Sequence, residues 1–166
     1  MTSMLFVKKL ISSKLVLGAF LAVGVALVAV PAYAHFMYEH GITSEEDEHC
    51  TWNRAEISHG SGGGYAESKV KSRRGLCGLS WDRPIGHLKV KWKLLKKDGS
   101  SWPVCHSSSN YYNGTTASQM TVGNDYGSTP HCGNGVYKTR AYGYLKNSGT
   151  WWGGEIESGV TGHTLP

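Results

Sequence analysis

The stretch Leu88-Lys89-Val90-Lys91-Trp92-Lys93-Leu94 alternates apolar and cationic residues. Period two is the side-chain repeat of a β-strand, so Leu88, Val90, Trp92 and Leu94 are expected on one sheet face and three ammonium groups on the other. The strand runs into Lys97-Asp98-Gly99-Ser100, where Asp-Gly tolerates the positive φ of a tight hairpin turn, and returns through Trp102, Val104 and Cys105. A second segment repeats the design: Tyr137 to Lys146 is β-rich, Asn147-Ser148-Gly149 turns it, and Trp151-Trp152 opens the return. In Tyr137 to Lys146 either alternate set of residues can face inward. The larger apolar area of Tyr142 and Tyr144, set against Ala141 and Gly143, predicts that the tyrosines are buried. Aligning the hairpin glycines Gly99 and Gly149 gives the same assignment, matching Trp92 to Tyr142 and Leu94 to Tyr144.

Cysteine spacing is the second regularity. Cys50 and Cys77 stand 27 positions apart, as do Cys105 and Cys132, and both second cysteines are followed by glycine. The pattern predicts an internal duplication, with pseudo-repeats over 50–104 and 105–166. It favours Cys50–Cys77 and Cys105–Cys132 among the three pairings open to four cysteines. Each bridge is expected to stabilise by about 3 to 4 kcal/mol. Zinc sites usually have close-set pairs such as C-x-x-C, which this chain lacks. Trp52 to Ser58, Tyr65 to Lys71, Asn110 to Asn113 and Ala117 to Val122 read as further short strands, separated by glycine-rich loops. The expected fold is all-β: a disulfide-stapled β-sandwich or small barrel of about eight strands. One domain over 50–166 is expected, because halves of about 60 residues would each be marginal alone.

Residues 1–34 read as a helical signal peptide. Lys8, Lys9 and Lys14 precede or open an uncharged run from Leu15 to Val30, and Ala32-Tyr33-Ala34 matches an A-x-A cleavage site. The run falls short of the about 20 residues that a spanning helix needs. A secreted, extracellular monomer beginning at His35 is expected, without membrane contact after cleavage, in a compartment where disulfides persist. The three leader lysines hold more than half of the formal charge of +5. The remaining charge is uneven: an acidic N-terminal segment, 35–49, carries Glu39, Glu45, Glu46, Asp47 and Glu48, whereas 69–97 is rich in Lys and Arg against Asp82 alone. An exported chain with no nucleic-acid module is not expected to bind nucleic acid.

An N-terminal His35 offers an α-amine and an imidazole, and a second histidine, His40 or His49, with Asp47 as an anchoring carboxylate, would complete a copper site. In this the leader-to-His35 junction resembles copper-dependent polysaccharide monooxygenases and small periplasmic copper carriers, both built on β-sandwiches, and the resemblance implies Cu as the alternative cofactor. Glu155-Ile156-Glu157 puts two acids on one strand face about 7 Å apart, a separation suited to inverting glycosidases but also produced by any exposed alternating strand. Neither a G-x-S-x-G elbow nor a phosphate loop occurs, and the repeat occupies every cysteine. The aromatics carry the strongest signal: in Tyr111-Tyr112 and Trp151-Trp152 one ring of each pair must point outward, where it can stack on a sugar or anchor a protein interface.

The string Cys132-Gly133-Asn134-Gly135-Val136-Tyr137-Lys138-Thr139-Arg140-Ala141-Tyr142-Gly143-Tyr144, with Gly153-Gly154 and Ser158-Gly159, resembles small secreted actinobacterial β-rich proteins. That resemblance covers the second half of the chain and implies export and a β fold without assigning a site. The expectation is a non-catalytic binding protein without cofactor, recognising an extracellular polysaccharide or another protein through Trp151, Trp152, Tyr111 and Tyr112. A copper protein or a secreted antimicrobial or inhibitor protein are the alternatives.

Overall fold

The structure is a computed structural model that describes residues 35–46, 48–60, 63–125 and 132–161, with the side chains of His35, Phe36, His59 and Asp125 left out. The leader, Asp47, His131 and His163 lie outside the described residues. The described chain is all-β, in ten strands: β1 His35–Glu46, β2 His49–Gly60, β3 Gly63–Arg74, β4 Leu79–Ser80, β5 Leu88–Lys96, β6 Val104–Ser107, β7 Tyr111–Tyr112, β8 Gln119–Asp125, β9 Tyr137–Asn147 and β10 Thr150–Glu157. They form two antiparallel five-stranded sheets packed in a sandwich-like pair. The first runs β1-β2-β3, and β4 and β8 share the far edge of β3. The second runs β10-β9-β5, and β6 and β7 share the far edge of β5. The acidic segment thus adds a strand, β1, paired along β2.

Strand β5 lies near the middle of its sheet, and its alternation sorts the two faces. Leu88, Val90, Trp92 and Leu94 are buried, while Lys89, Lys91 and Lys93 lie on the opposite face and remain partly accessible. The turn after it closes with reciprocal bonds, Asp98 N–H to Ser101 carbonyl at 3.0 Å and Ser101 N–H to Asp98 carbonyl at 2.8 Å. Between β9 and β10, Ser148 and Gly149 both have positive φ, 47° and 87°, the backbone of a two-residue hairpin turn matched to the strand twist.

The core has two clusters between the sheets. Ile57, Ala66, Trp92, Leu94 and Tyr137 form one, and Val70, Leu88, Val90 and Leu145 the other. Cys50 is bonded to Cys77 and Cys105 to Cys132, with Cα atoms 5.5 and 5.7 Å apart. The first bridge ties the start of β2 to the turn after β3. The second ties β6 to the approach to β9.

A polar contact joins the sheets inside this apolar layer. Asn53 on β2 is fully buried, and its Nδ2 donates to the Gly143 carbonyl at 3.1 Å, the Gly154 carbonyl at 2.9 Å and Thr43 Oγ1 at 2.8 Å. The approach needs glycine: a Cβ on Gly143 would fall onto Asn53 Oδ1 and within 2.7 Å of its Cγ.

This contact corrects the face assignment of β9. Tyr137, Thr139, Ala141, Gly143 and Leu145 are the inward set, and Tyr142 and Tyr144 point away from the core. Two physical terms outweigh the aromatic area. Lys138, Arg140 and Lys146 share the parity of the tyrosines, so burying the rings would bury three cations. The inward face also needs a residue without a side chain where Asn53 crosses. Gly143→Ala is therefore expected to lower unfolding stability by at least about 2 kcal/mol through overpacking, measured by chemical denaturation; a cost under about 0.5 kcal/mol would contradict the close approach.

Candidate functional site

The outward face of the second sheet gathers cations and aromatic rings from four strands. Register places Lys89, Lys91 and Lys93 of β5 beside Tyr144, Tyr142 and Arg140 of β9. Those three in turn face Gly153, Glu155 and Glu157 of β10. On the other side of β5, Tyr112 pairs with Lys89. The Lys89 ammonium sits 4.3 Å from the Tyr144 ring centroid and 4.5 Å from that of Trp151. Lys93 lies 5.2 Å from Tyr142, Lys146 6.0 Å from Trp151, and Lys138 4.4 Å from Trp102. The Tyr112 ring lies 5.9 Å from that of Trp151, inclined at 52°.

Gly153 is held bare by the close approach of β9. Its φ of 155° is one that side chains rarely adopt, and a Cβ there would fall onto the Gly143 carbonyl oxygen and meet Tyr144 Cα at 2.8 Å and Tyr144 Cδ1 at 2.9 Å.

Electrostatics separate the face into two parts. Around β10, Glu157 accepts from Lys138 Nζ at 2.5 Å and from Arg140 Nε at 2.7 Å and Nη2 at 2.5 Å, and Glu155 stands 3.9 Å from Arg140. Burial works against ionisation of Glu157, but the hydrogen bonds from Lys138 and Arg140 outweigh it and hold the carboxyl below its ordinary value. The bond to Glu157, outweighing burial, raises the Arg140 guanidinium further. Along β5 the cations have no such partners: among the described residues Lys89, Lys91 and Lys93 form no ion pair. Burial lowers the Lys89 pKa. Burial, then the Glu155 carboxylate and Tyr142, raises the Tyr144 phenol.

The four aromatic candidates part company. Trp151 and Tyr112 meet on the outer face. Trp152 turns inward, packs on the Val70, Leu88, Val90 and Leu145 cluster, and lines a cavity of about 190 Å³ at one end of the sandwich with Glu46, His49, Asn147, Ser148 and Thr150. Tyr111 lies across from Val90 at the sheet edge and is 45 % exposed. The sequence reading missed Lys89, Lys91, Lys93, Tyr142 and Tyr144 as site residues. The shared parity of Tyr142 and Tyr144 with Lys138, Arg140 and Lys146 was the available signal.

The histidines of the copper reading do not converge. His40 stacks between Tyr38, at 5.7 Å, and Trp52, at 5.3 Å, on the outer face of the first sheet. His49 has the inward parity of Thr51 and Asn53, lies 4.0 Å from the Trp81 ring, and has its Nδ1 buried without a partner among the described residues. The sheet itself separates the two. The His35 side chain lies outside the described residues. Glu45, Cys50 and Cys77 also cluster, but the two sulfurs are bonded to each other and offer no thiolate. The pair Glu155 and Glu157 is held in the ion-pair network, and the depressed pKa of Glu157 is opposite to what a general acid needs.

Compared with protein family models, curated proteins and solved structures, the chain matches none. The site therefore rests on its own geometry.

The Glu157 network sets a pH dependence. A carboxyl depressed in the folded state contributes stability above its ordinary value of 4.5, and that contribution is lost as pH falls through the folded-state value. Glu157→Gln is expected to cost less than about 1 kcal/mol at pH 7, because the group is partly solvent-screened. The difference from the parent protein should vanish in denaturation curves taken near pH 2; a difference that persists there would rule out the ion pairs as its source.

Proposed function

We propose that the protein is an exported, non-catalytic binding protein that holds an extracellular polysaccharide along the outer face of its second sheet. The observation that carries this reading is the convergence of three rings from three different strands: Tyr144 and Trp151 around the single ammonium of Lys89, with Tyr112 against Trp151. Amphipathic rings fixed in place by packing offer contact area at low entropic cost, which suits a rigid sugar surface. Export through the leader and the duplication of the two cysteine units belong to the same proposal. Both disulfides and the lack, among the described residues, of a helix long and apolar enough to cross a membrane agree with it.

A second reading, recognition of a protein partner, is favoured by a separate observation. Gly75, Leu76 and Cys77 all have positive φ, 58°, 52° and 64°, a left-handed run next to the Cys50–Cys77 bridge that presents Leu76 at 95 % exposure. A leucine in this conformation costs stability without gaining burial, and such strain concentrates at functional sites.

The adjacent tryptophans give the test. Trp151→Ala is expected to abolish retention on polysaccharide while changing stability by under about 1 kcal/mol. Trp152→Ala should destabilise by about 2 to 4 kcal/mol because that ring packs on the core. If Trp151→Ala binds like the parent and Leu76→Ser abolishes capture of a protein target, the second reading replaces the first.

A further inference from the structure

We infer that the polymer held on this face is an acidic polysaccharide, bound through the row of Lys89, Lys91 and Lys93. The inference rests on the binding-face reading above and names its ligand class.

Three observations carry it. The lysines occupy alternate residues of one strand, so their side chains leave the sheet at intervals of about 7 Å, a linear register of positive charge. Among the described residues no carboxylate neutralises that row. The carboxylates of the same face, Glu155 and Glu157, stand instead at Arg140 and Lys138, two strands away from the edge where Tyr112 pairs. Finally, Lys89 and Lys93 are oriented by the ring faces of Tyr144, Trp151 and Tyr142, which hold the ammonium groups without cancelling their charge. Ordered, unneutralised cations beside aromatic rings complement a chain that carries acid groups on a carbohydrate backbone.

Single-stranded nucleic acid is the competing polyanion. It is disfavoured for an exported chain with no nucleic-acid module, and an oligonucleotide probe distinguishes the two.

The test uses the full mature chain, with immobilised polygalacturonate, cellulose, chitin and a thymidine oligonucleotide as probes. Polygalacturonate is expected to bind, with affinity falling at least tenfold between about 50 and 300 mM salt. Lys91 makes no ring contact or ion pair among the described residues, and Lys91→Gln should weaken binding about fivefold without altering the fold. Replacing Lys89, Lys91 and Lys93 together by Gln should weaken it by on the order of 100-fold. Lys71→Gln lies on the outer face of the other sheet, over Trp52, and should leave affinity within about twofold. Equal, salt-insensitive binding to cellulose or chitin would overturn the acidic ligand and leave the polysaccharide reading standing. Tighter binding to the oligonucleotide would overturn the ligand class, an equal loss in Lys71→Gln would overturn the choice of face, and retention by none of the polymers would overturn the binding reading itself.

Discussion

The Asn53 amide lying against Gly143 links what the core requires to what the surface presents. Its Nδ2 bonds to carbonyls on both β9 and β10, so one side chain from the first sheet holds the position of two strands in the second. A buried amide is costly unless its donors are satisfied, which makes this arrangement highly specific to one register. The position opposite must be glycine, and the parity of β9 follows. With Gly143 inside, Ala141 and Leu145 are inside too, while Tyr142 and Tyr144 can only be outside.

The rest of the outer face follows from that parity. Turned outward, the two tyrosines lie beside the lysines of β5 through the β5–β9 ladder. Gly153 leaves the space that the Gly143 carbonyl and Tyr144 occupy. Lys89 and Lys93 then rest on rings instead of carboxylates. Cation–π contacts of this kind contribute about 0.5 to 1 kcal/mol each at exposed sites and leave the charge available to a ligand. The acids of β10 are engaged by Arg140 and Lys138. The face is therefore divided between a neutralised margin and a cationic stripe along β5.

Much of the architecture could be read directly from residue order. The apolar and cationic alternation of β5 fixes both its secondary structure and its facing, because the two sets differ so strongly in the cost of burial. Gly99 and Ser148-Gly149 mark their turns because positive φ selects few residue types. The splitting of Trp151 from Trp152 also follows from strand geometry alone, although which ring goes outward does not. The tyrosines of β9 were only half legible: side-chain area argued for burying them, their shared parity with Lys138, Arg140 and Lys146 argued against it, and the second opposing term, an amide from a strand some 90 residues earlier, has no local trace.

The candidate site shows the same division. Sequence alone determined that strands would dominate, that the lysines of β5 would share one face and that two adjacent aromatic pairs would each expose a ring, because all three depend only on the period-two geometry of an extended chain. Tertiary structure decided which strands became neighbours. It brought Tyr112 within reach of Trp151, put Lys89 between Tyr144 and Trp151, and set His40 and His49 on opposite sides of a sheet. The physical reason is that cross-strand contacts depend on pairing order and register, which the whole core selects through packing and the satisfaction of buried polar groups.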